Sequence, residues 1–253
     1  VFPFHFWTPD VYQGSSNETA GLIASLPKIG AVAILVRFVS LAAPGDPTIV
    51  TFMAVLAGAS MFYGNLVALM QDDLKRLLGF SGIAHAGYAL LGFVAMDGDG
   101  YSAAMYYIFA YALMVIACFV PICRISRDGA NVPMGELAGL HRRSPMLAIT
   151  LGVGVFALAG IPPFAGFTGK LALLKAALNQ GHLLLVIVAV VNTVIAIYYY
   201  LAIARETFFR DPEGRPNVAV DAATRALCVA LIAGIVALGI LPEPILAAIR
   251  SSL

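Results

Sequence analysis

Long runs of apolar residues, broken by short polar turns, set the pattern of this chain. A run of about 20 apolar residues crosses a bilayer core as a helix. Such runs fall at about 20–42, 49–70, 77–96, 101–123, 183–204 and 223–241. A further run at about 145–178 exceeds one straight span and holds Pro162 and Pro163. The pattern therefore predicts about seven passes, one of them broken. Between the runs lie turn signals: Pro44-Gly45-Asp46-Pro47, Asp97-Gly98-Asp99-Gly100 and Asp211-Pro212-Glu213-Gly214. The longest connections, about 124–144 and 205–222, leave no room for a soluble domain. In lipid every backbone polar group must be satisfied within the fold, so the expected class is all-α, a polytopic membrane helix bundle. Three regions follow: a segment 1–19 ending in a loop, a single bundle over 20–242, and a tail at 243–253.

Composition agrees. The 253 residues are 60% hydrophobic and only 11% charged, against about 25% charged in soluble domains. Mean hydropathy is +0.90. Net charge is +1, which offers no basic surface to nucleic acid. Cys118, Cys123 and Cys228 form no C-x-x-C pair, and no His stands at ligand spacing, so they read as small buried apolar side chains. There is no G-x-G-x-x-G after a strand, no phosphate loop and no catalytic Ser/His/Asp set. No signal peptide is visible. The opening Val1-Phe2-Pro3-Phe4 reads as the middle of an element, so a longer parent protein is expected.

Charge distribution gives orientation. Alternating passes put Lys75, Arg76, Arg124, Arg127, Arg142, Arg143, Arg205, Arg210, Arg215 and Arg225 on one face. Arg37 and Arg250 go to the other. The positive-inside rule makes the first face cytoplasmic and puts the C-terminus outside.

Three lysines remain inside the runs. Lys28 stands about 12 Å into the first span at 1.5 Å per residue. A Lys at that depth costs about 2.5–3.5 kcal/mol to insert, and often marks an ion path. Snorkelling to the interface is the alternative. Lys170 follows Gly160-Ile161-Pro162-Pro163-Phe164-Ala165-Gly166-Phe167-Thr168-Gly169. Two prolines without backbone donors predict an unwound centre, which transporters use for ion sites. A plain proline kink is the alternative. Lys175 lies nearer the end of that run and reads as snorkelling. His85 is mid-span, one turn after Ser81, and suits either a proton relay or a satisfied core histidine. Lys75 and Arg76 read as an interfacial positive-inside pair, and Tyr198-Tyr199-Tyr200 as an interfacial aromatic belt.

Three stretches together resemble one family. Pro3-Phe4-His5-Phe6-Trp7-Thr8-Pro9-Asp10-Val11-Tyr12 is similar to the P-[FL]-H-x-W-x-P-D stretch of the antiporter-like subunits of respiratory complex I. Its T-P-D-V-Y ending resembles the subunit N type rather than L or M. Leu74 to Tyr88 resembles the family's K-R-x-L-x-Y-S-S-I-x-H-x-G-Y block, and Gly160 to Lys170 its G-[IL]-P-P-x-x-G-F-x-x-K broken helix. The resemblance covers the whole chain. It implies a fold of about fourteen helices with two inverted repeats, of which this chain holds the second, preceded by the end of the first. It implies that Lys28 and Lys170 carry protons, with His85 and Lys75 in the connecting helix, and Gly160, Pro162, Pro163 and Gly166 forming the break.

The same resemblance implies membrane-arm partners, lipid, protons and internal water. Flavin, iron–sulfur clusters and quinone would belong to other subunits, and this chain would hold no cofactor or metal. The expected site is a bacterial inner membrane. Two other readings stay open: a subunit of a multisubunit cation/proton antiporter or membrane-bound hydrogenase, and a non-conducting structural fragment. The family's own upstream Lys and paired Glu would lie before Val1, so half a proton path is expected outside this chain.

Overall fold

The computed structural model describes residues 1–43, 45–126 and 129–252. Among these, eleven α-helices and one short 3-10 turn make up the fold: α1 (Trp7–Gly14), α2 (Asn17–Val39), α3 (Pro47–Ala68), α4 (Leu74–Val94), α5 (Gly98–Ile125), α6 (Leu140–Arg143), α7 (Pro145–Ala159), α8 (Ala165–Asn179), α9 (Leu183–Phe209), α10 (Ala222–Ile240) and α11 (Glu243–Ser252). Pro44 of the first turn, Arg127 of the basic face and Leu253 of the tail lie outside the described residues.

Six helices (α2, α3, α4, α5, α9 and α10) are long and apolar enough to cross a membrane. The expected seventh pass is two helices of 15 residues each, α7 and α8. Five of the six long helices begin one to three residues before the apolar run that announced them, because a polar cap starts each; α9 begins with its run at Leu183 and has no side-chain cap. Asp46 accepts from the Thr48 and Ile49 amides, Asp73 from Arg76, Asp97 from Gly100 and Asp221 from Thr224. Such caps satisfy amides that have no intrahelical partner.

Helix α4 is the centre. It is buried over 94% of its apolar window, against 22% for α2 and α10. α1, α2, α3, α5, α8 and α9 all pack on it. Close approach explains how: a Cβ on Gly64 of α3 would sit 2.6 Å from the Ala84 amide nitrogen of α4. Small residues drive helix packing in lipid in this way. The outer helices expose Leu22, Phe38, Phe52, Leu184, Val194 and Leu227.

The loops knit at two ends. On the basic face, the Leu74 amide donates to Val132, Gly139 to Glu206 and Val218 to Arg143. Ion pairs join Arg124 to Asp221 and Arg142 to Asp211. At the other end Arg250 pairs with Asp99, Gln180 donates to Asp97, and Arg37 donates to the Ser252 carbonyl. The groups that alternation assigned to opposite faces thus meet as two separate sets. The amphipathic helix α11 at 243–252 occupies what hydropathy left as a tail.

Candidate functional site

The broken helix explains the placement of Lys170. An α-helical carbonyl accepts from the amide four residues on. For Leu158 and Ala159 those amides would belong to Pro162 and Pro163, which have none. The Lys170 ammonium takes their place, donating to the Leu158 carbonyl at 3.0 Å and the Ala159 carbonyl at 3.2 Å. A cation at a helix C-terminus also suits the dipole. Gly160 ends α7 in the left-handed region (φ 85°), and a Cβ there would lie 3.1 Å from the Lys170 stem. Gly166 opens α8 where a Cβ would overlap the Ala157 carbonyl. Lys170 is 5% exposed, so a plain kink without a polar role does not describe it.

Lys28 does not snorkel. Its ammonium donates sideways to Tyr111 Oη at 2.9 Å and to the Gly82 carbonyl at 3.3 Å, and lies 4.4 Å over the Tyr111 ring. Gly82 makes room for it: a Cβ there would be 2.5 Å from Lys28 Nζ. Lys28 also lines a largely apolar cavity of about 470 Å³ with Pro27, Trp7 and Phe52.

His85 joins the two. It is 2% exposed, and both ring nitrogens are engaged. Nδ1 shares a hydrogen bond with Tyr107 Oη at 2.7 Å, and Nε2 with Tyr200 Oη at 3.0 Å. Tyr200 also bonds Ser81 Oγ. The His85 ring packs on Tyr111 at 4.9 Å between centroids and on Tyr88 at 6.1 Å. Lys170 Nζ stands 4.8 Å over that same Tyr88 ring. Lys28, Tyr111, His85, Tyr88 and Lys170 therefore form one contiguous row, buried except at the partly exposed Lys28 and drawn from α2, α5, α4 and α8.

A side branch leaves His85 through Tyr200. Tyr199 packs on Tyr200 at 4.4 Å and donates to Asn65 Oδ1 at 2.9 Å. The Asn65 amide donates to Asn192 Oδ1 and to its carbonyl. Asn65 and Asn192 are both fully buried.

Two sequence expectations need correction. Lys75 is 0% exposed and donates to the Ser15 carbonyl at 2.8 Å, so it closes the end of α1 rather than reaching the interface. Arg76 alone is partly exposed, paired with Asp10 at 2.6 Å. Lys75 stands ten residues from His85, about 15 Å along α4, outside the row. In the tyrosine triplet, Tyr198 is 72% exposed, as a belt residue should be, but Tyr199 and Tyr200 are buried and hydrogen-bonded. Consecutive helical side chains point about 100° apart, so one triplet cannot share one face. Lys175 is exposed, as expected. Among the described residues no His, Cys, Asp and Glu gather to hold a metal, and the cysteines are free.

An all-helical polytopic bundle with a broken helix beside buried lysines is the build of an antiporter-like membrane protein. The family model described as NADH:quinone oxidoreductase/Mrp antiporter, TM, matches residues 1–196, and the chain belongs to that family. It is 64% identical over its full length to NADH-quinone oxidoreductase subunit N 2 of Opitutus terrae, covering 53% of that protein. It superposes on a chain of respiratory complex I from Thermus thermophilus with a TM-score of 0.86, at 37% identity, covering 98% of this chain and 55% of that one. A chain of the Mrp complex from Dietzia gives a TM-score of 0.90 at 25% identity, over 100% and 55% of the two chains. The chain spans about half the length of the curated relatives it matches.

Proposed function

We propose that this chain is part of a subunit N in the membrane arm of a proton-translocating NADH:quinone oxidoreductase. Protons pass along the row Lys28–Tyr111–His85–Tyr88–Lys170. The observation that carries this reading is the Lys170 ammonium seated on the two carbonyls that Pro162 and Pro163 leave without donors. A break so placed creates a polar site in an apolar bundle, the arrangement that transporters commonly use for an ion path. His85, hydrogen-bonded to Tyr107 and Tyr200 beside the row, has two ring nitrogens through which a proton can enter and leave. Between Tyr111 and His85, between His85 and Tyr88, and between Tyr88 and Lys170, the contact is through a ring rather than a hydrogen bond. Passage there needs an intervening water or a ring rotation, which gives the row three natural gates. The Asn65–Tyr199–Tyr200 branch supplies a second approach to His85.

In this reading the basic face is cytoplasmic, the membrane is the bacterial inner membrane and the C-terminus is periplasmic. Flavin, iron–sulfur clusters and quinone sit in other subunits, and the remaining membrane-arm subunits are the partners. The region over 20–242 acts as one bundle. Lys75 positions α1 against α4.

A second reading, a subunit of an Mrp-type cation/proton antiporter, draws on the higher TM-score to that complex. Fold similarity does not separate the two, and sequence identity favours the oxidoreductase. The test is Lys170→Ala in the full-length subunit, assembled and assayed in membrane vesicles. Proton pumping coupled to quinone reduction is expected to fall close to the uncoupled background, with assembly and NADH oxidation by the redox module retained. Unchanged pumping would make Lys170 a structural plug for the broken helix, and the row would not be a path.

A further inference from the structure

Two backbone carbonyls, which can only accept, fix where the hydrogens lie in the branch that joins His85 to α3 and α9. Asn192 Nδ2 donates to the Val188 carbonyl at 2.9 Å, one turn back on α9. Its Oδ1 therefore faces the other way, towards Asn65. Asn65 Nδ2 donates to that oxygen at 3.1 Å and to the Asn192 carbonyl at 3.2 Å. An amide oxygen turned onto a carbonyl would bring two acceptors together, so neither side chain can be flipped. Asn65 Oδ1 is left as an acceptor, and Tyr199 gives it its one hydroxyl hydrogen at 2.9 Å.

The constraint passes along the hydroxyls. Tyr199 Oη, its hydrogen spent, also lies within hydrogen-bonding range of Ser81 and Tyr200, and can only accept there. Ser81 Oγ and Tyr200 Oη bond each other. One hydrogen is needed on Tyr199 Oη and one between Ser81 and Tyr200. Those two hydroxyls have two hydrogens between them, and both are used. None remains for His85 Nε2, which stands 3.0 Å from Tyr200 Oη, so the hydrogen on that contact belongs to His85. A neutral imidazole carries one hydrogen, which leaves Nδ1 bare to accept from Tyr107 Oη at 2.7 Å. All of these side chains are buried, where a polar atom without a partner is costly.

We infer that Asn65 is a positioning residue for proton transfer. Acting through Tyr199 and Tyr200, it holds resting His85 with its hydrogen on Nε2, so that Nδ1, facing Tyr107, is the atom that takes up the next proton. Uptake on one nitrogen and release from the other gives the step a direction that a freely tautomerising ring lacks. An amide suits this task because its donor and acceptor ends are fixed, whereas a hydroxyl in its place could turn its hydrogen towards Tyr199 and reverse the chain. The uptake role rests on the row as a proton path; the position of the hydrogen does not.

The test uses the full-length subunit, assembled in its complex and carrying isotopically labelled histidine. Solid-state NMR tells a ring nitrogen that bears hydrogen from a bare one, and the His85 signals are those that His85→Gln removes. The neutral ring of the wild type is expected to show Nε2–H alone. Tyr199→Phe keeps the ring on Tyr200 and the Asn65–Asn192 pair, and removes only the link between them; Asn65→Leu removes the acceptor. Both variants should show a mixture of the two tautomers and pump several-fold more slowly, with NADH oxidation by the redox module retained. Should Asn65→Leu fail to assemble, Tyr199→Phe decides alone. A bare Nε2 in the wild type overturns the inference. So does unmixed Nε2–H in Tyr199→Phe, or pumping at the wild-type rate in that variant. The NMR signal is read without turnover, so the two failures are told apart: normal pumping in Lys170→Ala would remove the row, and the uptake role with it, while the tautomer result stood.

Discussion

Gly82 shows how one absent side chain decides the chemistry around it. Its carbonyl accepts from Lys28, and its bare Cα leaves the space that Lys28 Nζ and Tyr111 Oη occupy; a Cβ would meet them at 2.5 and 2.9 Å. Both are ends of flexible side chains rather than backbone. Gly82→Ala should therefore leave the bundle assembled, since Ala is a better helix former than Gly by about 1 kcal/mol. It should displace the ammonium, break the Lys28–Tyr111 bond and lower proton pumping several-fold. Pumping rates and thermal midpoints of the two proteins in parallel decide it: lost stability with intact pumping would show that the lysine moves freely and Gly82 serves packing alone. The lysines were legible in the sequence because a charge inside an apolar run is an anomaly on its face. The tyrosines were not. Tyr107 and Tyr111 stand four apart on α5, and Tyr200 comes from α9, and nothing local says that these faces converge on His85. Asn65 and Asn192 left a weaker signal, lone amides in the middle of apolar spans, whose pairing over 127 residues only the fold reveals.

Among the elements, the broken helix was the most readable, because its cause is covalent. Proline lacks the donor, so two carbonyls must find another partner, and a lysine within reach is the natural candidate. Pro162→Ala with Pro163→Ala supplies two amides and permits α7 and α8 to join. Leu158 and Ala159 would then be satisfied by backbone, and Lys170 would lose both acceptors. The double variant should lose most pumping although every lysine and histidine of the row is still present. Retained pumping would mean that the break serves packing and that Lys170 works without its carbonyl seat. Helix boundaries were less readable, since hydropathy detects the apolar run and not the capping aspartate a turn before it. α11 was unreadable for a different reason: it is short, opens at Pro242-Glu243-Pro244, and takes its register from Arg250 on Asp99 and from packing on α5.

At the scale of the whole molecule, the alternation of charge made the topology readable before any contact was known, and the loops of the basic face are where that topology is locked. Asp221 does this twice. It caps α10 through the Thr224 amide at 2.9 Å and ties α10 to the end of α5 through Arg124 at 2.8 Å. The hydrogen bonds from Thr224, then the Arg124 guanidinium, hold its carboxyl at about 2, below the usual 3.8. A carboxyl depressed in the folded protein contributes stability that is full above its unfolded value and is lost as pH falls through its folded one. Asp221→Asn keeps a good capping side chain and removes only the charge. The wild type should therefore melt slightly above the variant at neutral pH. The gap should hold down to about pH 4 and close between there and about pH 2 as Asp221 takes up its proton. Because the pair is exposed to solvent, 1 M salt should narrow the gap at neutral pH as well. A difference that persisted unchanged at pH 2 would assign the effect to side-chain shape and leave the α5–α10 tie to packing alone.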